Sequence, residues 1–270
     1  MARDPDNPDH IDPALIRFLV PVVDALCRAW YRLDVEGMDR VPRGAALIVA
    51  NHDSGITFLE LLGMGARWYA ERGTGEVLSG LGHDRMFDIP VVGDLLARMG
   101  GVRATHANAD ALFARGRKVV VAPGGNLEAF RPWTERDRIK FGGRKGFIRL
   151  AVRHRVPIVP VVFHGGHGGF LVLSDGEWIV RLLGLRRLLR VDTWPIMIAA
   201  PWGLAVGPVF HLPLPVKVRA RFLAPIPTDG LPPGADADPV ALDALYETVT
   251  SRMQAALTEM SKPTPPDSAR

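Results

Sequence analysis

Leu47-Ile48-Val49-Ala50-Asn51-His52-Asp53-Ser54-Gly55 decides the reading of this chain: a short apolar run delivers a histidine into a polar turn. Four consecutive apolar residues bounded by a turn read as a buried strand. Such a strand, ending in a polar loop, holds an imidazole rigidly enough for acid–base work. His52 is therefore the first candidate for a general base, against the plain alternative of a surface histidine at a strand end.

Outward from that turn, helical and strand patterns alternate. Asp34 to Gly37 and Ala45 to Ala50 read as two strands joined through Pro42 and Gly44. Residues 57–72 read as a helix whose apolar face includes Phe58, Leu61, Leu62 and Met64. Val77 to Ser79 reads as a third strand, Pro90 to Met99 as a short helix closed by Gly100-Gly101, and Ala107 to Ala114 as another helix. Lys118 to Ala122 is a β-branched strand that breaks at Pro123-Gly124-Gly125. Phe147 to His154 is helical, and Val156 to Phe163 is a strand whose Pro157 and Pro160 predict an irregular or edge position. Val216 to Leu223 alternates as a strand, and Pro239 to Met260 makes a long C-terminal helix. The alternation predicts an α/β domain with a mixed, mostly parallel sheet flanked by helices, plus an N-terminal and a long C-terminal helix. A single domain over 13–260 is expected, with a flexible leader over 1–12 and a disordered tail over 261–270.

The net charge is +4, from 33 Lys and Arg against 29 Asp and Glu, too weak a bias to indicate nucleic acid. Arginine outnumbers lysine, which suits phosphate, carboxylate and anionic lipid headgroups. Cys27 is the only cysteine, so no internal disulfide forms, and it lies in an apolar helical stripe. His164-Gly165-Gly166-His167 has no acidic or cysteine partner at ligand spacing, so no metal is expected. That Gly-rich turn is expected to line the site entrance. Met1 to Pro13 is acidic and polar, unlike a secretory signal, so the cytoplasmic side is the expected compartment.

Residues 13–32 carry apolar side chains at helical spacing (Leu15, Phe18, Leu19, Val22, Leu26), too short and too charged a run to span a bilayer, which takes about 20 apolar residues. Two readings stand: an amphipathic helix at a membrane interface, or a helix packed on the domain. Arg181 to Arg190 mixes leucine with arginine, and Thr193 to Leu214 contains no Asp, Glu, Lys or Arg. Residues 181–214 read either as a peripheral or monotopic membrane contact, or as a core helix followed by a buried Pro-rich loop.

Polar residues suited to chemistry occupy four loop stretches: His52-Asp53-Ser54; Gly100-Gly101-Val102-Arg103; Pro123-Gly124-Gly125-Asn126-Leu127-Glu128 with Arg131; and Lys140 to Phe147, with Arg144 and Lys145. In this order and spacing they make the chain resemble the glycerolipid or lysophospholipid acyltransferase superfamily over residues 33–225. Val35 to Pro42, leading to Asn51-His52, resembles the approach to the family's catalytic histidine. Gly101 with Arg103 resembles its second block, Pro123-Gly124-Gly125 its Pro-Glu-Gly block, and Val156 to Val161 its fourth.

The resemblance implies a glycerol-3-phosphate acyltransferase-like fold and an enzyme without cofactor. Its co-substrate would be an acyl thioester on coenzyme A or an acyl carrier protein, and its acceptor a hydroxyl of a lysophospholipid or other glycerolipid. His52 would be the general base, Arg103 would bind acceptor phosphate, and Gly124 and Gly125 would hold substrate and oxyanion. Two positions depart from the family pattern. Where the family has an Asp five residues after the histidine, this chain has Thr57. Glu60, one turn further along the predicted helix, is the expected orienter, with Thr57 a weaker alternative and Asp53 expected to point elsewhere. Gly124 replaces the family's Glu, as in diacylglycerol-acyltransferase-like branches, which admits neutral acceptors. Glu128 and Arg131 then either replace the lost contacts or are solvated loop charges. Arg144 and Lys145 either bind headgroup or coenzyme phosphate or are an exposed pair at a helix start. A non-catalytic, lipid-binding member of the same fold is the alternative function. The absence of a Gly-x-Ser-x-Gly elbow disfavours a serine lipase.

Overall fold

The structure, a computed structural model, describes residues 4–189 and 191–262. Among them ten strands form: β1 (Asp34–Glu36), β2 (Ala46–Ala50), β3 (Leu78–Gly82), β4 (Val102–Arg103), β5 (Lys118–Val121), β6 (Ile158–His164), β7 (Leu171–Ser174), β8 (Ile196–Ala199), β9 (Gly203–Val206) and β10 (Arg219–Phe222). The helices are α1 (Pro13–Trp30), α2 (Leu59–Arg72), α3 (Asp84–Phe87), α4 (Val92–Arg98), α5 (His106–Ala114), α6 (Asn126–Ala129), α7 (Gly146–His154), α8 (Glu177–Leu182), α9 (Leu185–Leu189) and α10 (Pro239–Met260).

The run Ala46 to Ala50 is apolar throughout because β2 lies in the middle of a seven-stranded sheet, order β1-β10-β6-β2-β5-β3-β4, with both faces covered. β2 pairs in parallel with β5 on one side and β6 on the other. Successive side chains alternate between two cores. Leu47 and Val49 pack with Leu112, Ile148, Val249, Met253 and Leu257 from α5, α7 and α10. Ala46, Ile48 and Ala50 pack with Cys27, Met64 and Trp68 from α1 and α2. Chain order diverges to the two sides of β2, which opens a crevice at the carboxyl ends of β2, β5 and β6, the usual site position in such sheets.

Three elements differ from the sequence reading, and one alternative in it is decided. β1 does not neighbour β2; it pairs in parallel with β10 at the far edge. Of the two positions expected for Pro160, irregular or edge, the structure shows the irregular one, within a central strand. Its missing N–H is tolerated because Val161 pairs with Phe222 while Ile158 bridges to Ile226, leaving one extra residue opposite it as a bulge. The helix predicted to begin at residue 57 begins at Leu59, after a 3-10 turn at Gly55–Thr57, because Phe58 takes a left-handed conformation at φ 51°. Arg181 to Leu189 breaks at Gly184 into α8 and α9, and the Pro-rich run forms β8 and β9 of a separate antiparallel sheet, β7-β8-β9.

The leader is docked over its described part. Asp12 caps α1 through Ala14 N and Leu15 N and faces Arg98 at 2.8 Å, which holds its carboxyl at about 2. Asp9 meets Arg115 at 2.7 Å, and Asp6 meets Arg103 at 3.0 Å. Residues 1–3, Arg190 and all but Ser261 and Lys262 of the expected tail lie outside the described residues. Among the described residues no helix is long and apolar enough to cross a membrane.

Ile48 is fully buried beneath the site. Ile48→Ala should cost about 2–5 kcal/mol, read as a lowered urea midpoint at unchanged slope.

Candidate active site

β2 carries the histidine to the crevice, and the residue before it locks the register. Asn51 Nδ2 donates to Phe163 O at 2.9 Å and its Oδ1 accepts from Phe163 N at 2.6 Å, so the side chain continues the ladder to β6. His52 follows with its peptide held at both ends. Its N–H donates to Glu128 Oε2 at 2.9 Å, and its carbonyl accepts from Arg131 Nη1 at 2.6 Å.

The imidazole Nδ1 lies 2.6 Å from Glu60 Oε1. The two atoms are in close contact without the alignment of a good hydrogen bond, as acid–base pairs often are before substrate binds. Glu60 stands in the first turn of α2, where the helix dipole favours a carboxylate. It also accepts from Asp53 N at 3.1 Å and from the Ser54 hydroxyl. Thr57 donates to Ser54 O at 2.7 Å, which brings its hydroxyl to the turn and not to the imidazole. Nε2 of His52 is buried with no hydrogen-bond partner among the described residues, and the Phe58 ring lies 4.5 Å from the imidazole, centroid to centroid.

Asp53 points away from the imidazole. Its carboxylate accepts from His167 Nδ1 at 2.7 Å, Gly166 N at 2.6 Å and Arg131 Nη2 at 3.2 Å. Burial alone would raise its pKa, but the His167 hydrogen bond, Arg131 and the Gly166 N–H outweigh it and hold the carboxyl below its ordinary value. Burial, aided by Arg131, lowers His167, so the neutral ring donates from Nδ1. The Gly-rich turn expected at the entrance therefore braces the His52-Asp53 loop from beneath.

Glu128 and Arg131 have no exposed surface and offer nothing to a substrate. Their part is to hold the His52 peptide. Burial raises Glu128, opposed by Arg131 and by the N–H groups of Lys140 and His52. Gly124 is what admits that carboxylate: a Cβ there would lie 2.5 Å from Glu128 Cβ and Oε2. Arg144 Nη1 clamps the turn through Pro123 O at 2.8 Å and Gly124 O at 3.0 Å, with Asp192 at 2.6 Å on its other amine, beside Gly125. Lys145 turns outward to Asp243 of α10. Arg103 sits three strands from β2, about 14 Å at the usual strand spacing, and carries Asp6 and Asp88, the latter at 3.3 Å. A surface hollow of about 540 Å³ lined by Thr134, Glu135, Asp137 and Gln254 touches none of these catalytic groups. Sequence reasoning quoted Asn51 and Ser54 without giving either a role, put His167 in a turn at the site entrance, and gave His211 no role. Of these, only Asn51 and Ser54, flanking the His52-Asp53 pair, carried a local signal.

The family model described as "Acyltransferase" matches residues 32–164. An uncharacterized protein of Mycobacterium tuberculosis is 31% identical over 249 residues, 92% of this chain and 66% of that protein, so the chain spans slightly under two thirds of its length. The mouse DGAT1/2-independent enzyme synthesizing storage lipids is 28% identical over 207 residues, 76% of this chain and 56% of that enzyme. The crystal structure of PlsC, the 1-acyl-sn-glycerophosphate acyltransferase of Thermotoga maritima, has the same fold, with a TM-score of 0.54 at 17% identity over 92% of this chain and 83% of that one. Over residues 32–164 the chain matches the acyltransferase family, and in sequence and fold it is similar to glycerolipid acyltransferases.

Asp53→Asn leaves the buried Arg131 without its carboxylate and should cost about 3–5 kcal/mol at neutral pH. Because the Asp53 pKa is depressed, its contribution is complete above the ordinary value of 3.8 and is lost as pH falls through the folded value. The difference between wild type and Asp53→Asn in urea melts should therefore shrink below that pH.

Proposed function

We propose that this protein transfers a fatty acyl group from an acyl thioester, on coenzyme A or an acyl carrier protein, to a hydroxyl of a glycerolipid. The observation that carries the reading is the buried Glu60–His52 pair at 2.6 Å, set at the carboxyl end of the central strand. Glu60 keeps the proton on Nδ1, leaving Nε2 to take the acceptor's hydroxyl proton as its oxygen attacks the thioester carbonyl. The tetrahedral intermediate collapses with release of thiolate, which recovers the proton from the imidazolium. No protein nucleophile is required. Cys27 is buried in α1 with its thiol pushed up to about 11, so it stays protonated.

The acceptor we favour is a neutral glycerolipid. Arg103 is already charge-compensated by Asp6 and Asp88, and the third-block position holds Gly124 where a carboxylate would stand. Arg144, beside the Pro-Gly-Gly turn, is compensated in the same way by Asp192 at 2.6 Å and is given to holding the turn. The lipid surface would be met by α1, whose Phe18, Val22, Leu26 and Trp30 form an exposed stripe, and by the outer face of β8 and β9. The closed His52 ring favours one second reading, a lipid-binding member without catalysis.

Free-thiol release from acyl thioesters should depend on acceptor and run faster with monoacyl- or diacylglycerol than with a phosphate-bearing lysolipid. His52→Ala should lower it about 10²- to 10⁴-fold, and Glu60→Gln at least about tenfold. Acceptor-dependent release that survives His52→Ala at the wild-type rate would sink the mechanism, and no release from folded wild type would favour the binding module.

A further inference from the structure

We propose that residues 209–214 form a lipid-operated lid: Phe210, Leu212 and Leu214 enter an anionic bilayer surface, and the resulting shift of His211 off Gly55 opens the His52 imidazole to substrate. The proposal deepens the acyltransferase reading and rests on it.

The site is closed as it stands. His52 is 1% exposed, and a base that must meet a lipid hydroxyl needs an opening. What covers it is a short chain of contacts. Phe58 lies over the imidazole and directly follows the 3-10 turn Gly55–Thr57. Gly55, at φ 62°, is in turn covered by His211: a Cβ on Gly55 would meet His211 Cε1 at 2.8 Å and Phe170 Cζ at 3.1 Å. His211 packs tilted against Phe170, ring centroids 4.6 Å apart, and its Nε2 is buried with no partner among the described residues. Packing alone therefore holds that face of the ring in place.

The segment carrying His211 is extended, and its two sides differ sharply. Phe210, Leu212 and Leu214 are 72%, 59% and 52% exposed, while His211 and Pro213 between them are buried. Four bonds to other elements secure it: Leu212 N donates to Ala200 O at 2.8 Å, Trp202 Nε1 to Phe210 O at 2.6 Å, Leu214 N to Gly169 O at 2.9 Å, and Trp30 Nε1 to Pro213 O at 2.9 Å. The last bond joins the segment to the exposed stripe of α1, and the first to the small sheet whose Trp202, Leu204 and Val206 also face outward.

Charge selects the occupant. Residues 193–216 contain no Asp, Glu, Lys or Arg. In the flanking elements Arg17, Arg187 and Lys217 are exposed, whereas Asp24 is engaged by Arg28 and Arg67, Asp192 by Arg144 and Arg186, and Glu177 by Arg181. An apolar centre with a cationic margin fits a bilayer of anionic lipid.

Two readouts that need no acyl transfer test this. Co-sedimentation with phosphatidylglycerol/phosphatidylcholine vesicles should be strong for wild type and at least tenfold weaker for Phe210→Ser/Leu212→Ser/Leu214→Ser. Carbethoxylation of His52, followed by peptide mass spectrometry, should accelerate at least tenfold when vesicles are added to wild type. The triple variant should show no acceleration, and His211→Ala should be fast without vesicles. Thiol-release assays on the same samples separate failure of the lid from failure of the acyltransferase reading. Equal His52 modification with and without vesicles overturns the lid, as does vesicle binding by the triple variant at the wild-type level. A wild-type dimer that the triple substitution dissolves, with no vesicle binding, would assign the face to a second copy and also overturn it. Should His211→Ala fail to fold, the vesicle dependence of wild type still decides.

Discussion

Arg131 is a positive charge with no exposed surface, and the His52 loop is arranged around keeping it there. An isolated guanidinium in a protein interior would be prohibitively desolvated. Here each of its nitrogens donates: to the His52, Glu128 and Arg136 carbonyls and to the Asp53 carboxylate. Those acceptors belong to the loop after β2 and to the segment after β5, so satisfying one charge fixes two neighbouring strand ends relative to each other. The imidazole inherits its position from that requirement, and Asp53 serves as the counter-charge while Glu60 is left for the ring.

The same logic explains a glycine. Glu128 reaches back from α6 to the His52 N–H through the space that a side chain at position 124 would fill. A carboxylate thus stands near the Pro-Gly-Gly turn without coming from it, and its task is internal. Arg144 then closes the turn from outside. Arg103 is given to the docked leader, and exposed pairs of that kind, individually weak, hold residues 4–12 by their number and by the Asp12 cap.

Around this polar centre the outer layer is unusually apolar. The small β7-β8-β9 sheet and α1 each bury one side and present Leu, Val, Phe and Trp on the other. On the acyl-transfer reading proposed above, that face is where hydrocarbon and protein would meet.

The strand that holds the histidine, the alternation into an α/β sheet and the long C-terminal helix were all legible in the chain, because apolar periodicity and turn residues act over a few neighbours. His52 and Glu60 were legible together for a related reason: they lie eight residues apart, within one turn and the helix it starts. The irregular position of Pro160 was legible but not that its strand is central, and the docking of the leader and the second sheet were not, since each depends on what lies opposite. Least legible were the partners of the buried charges. Arg131 meets Asp53 from 78 residues away and His167 reaches it from 114. A buried polar group takes whatever partner the packed strand ends bring within 3 Å, and only the tertiary structure decides which that is.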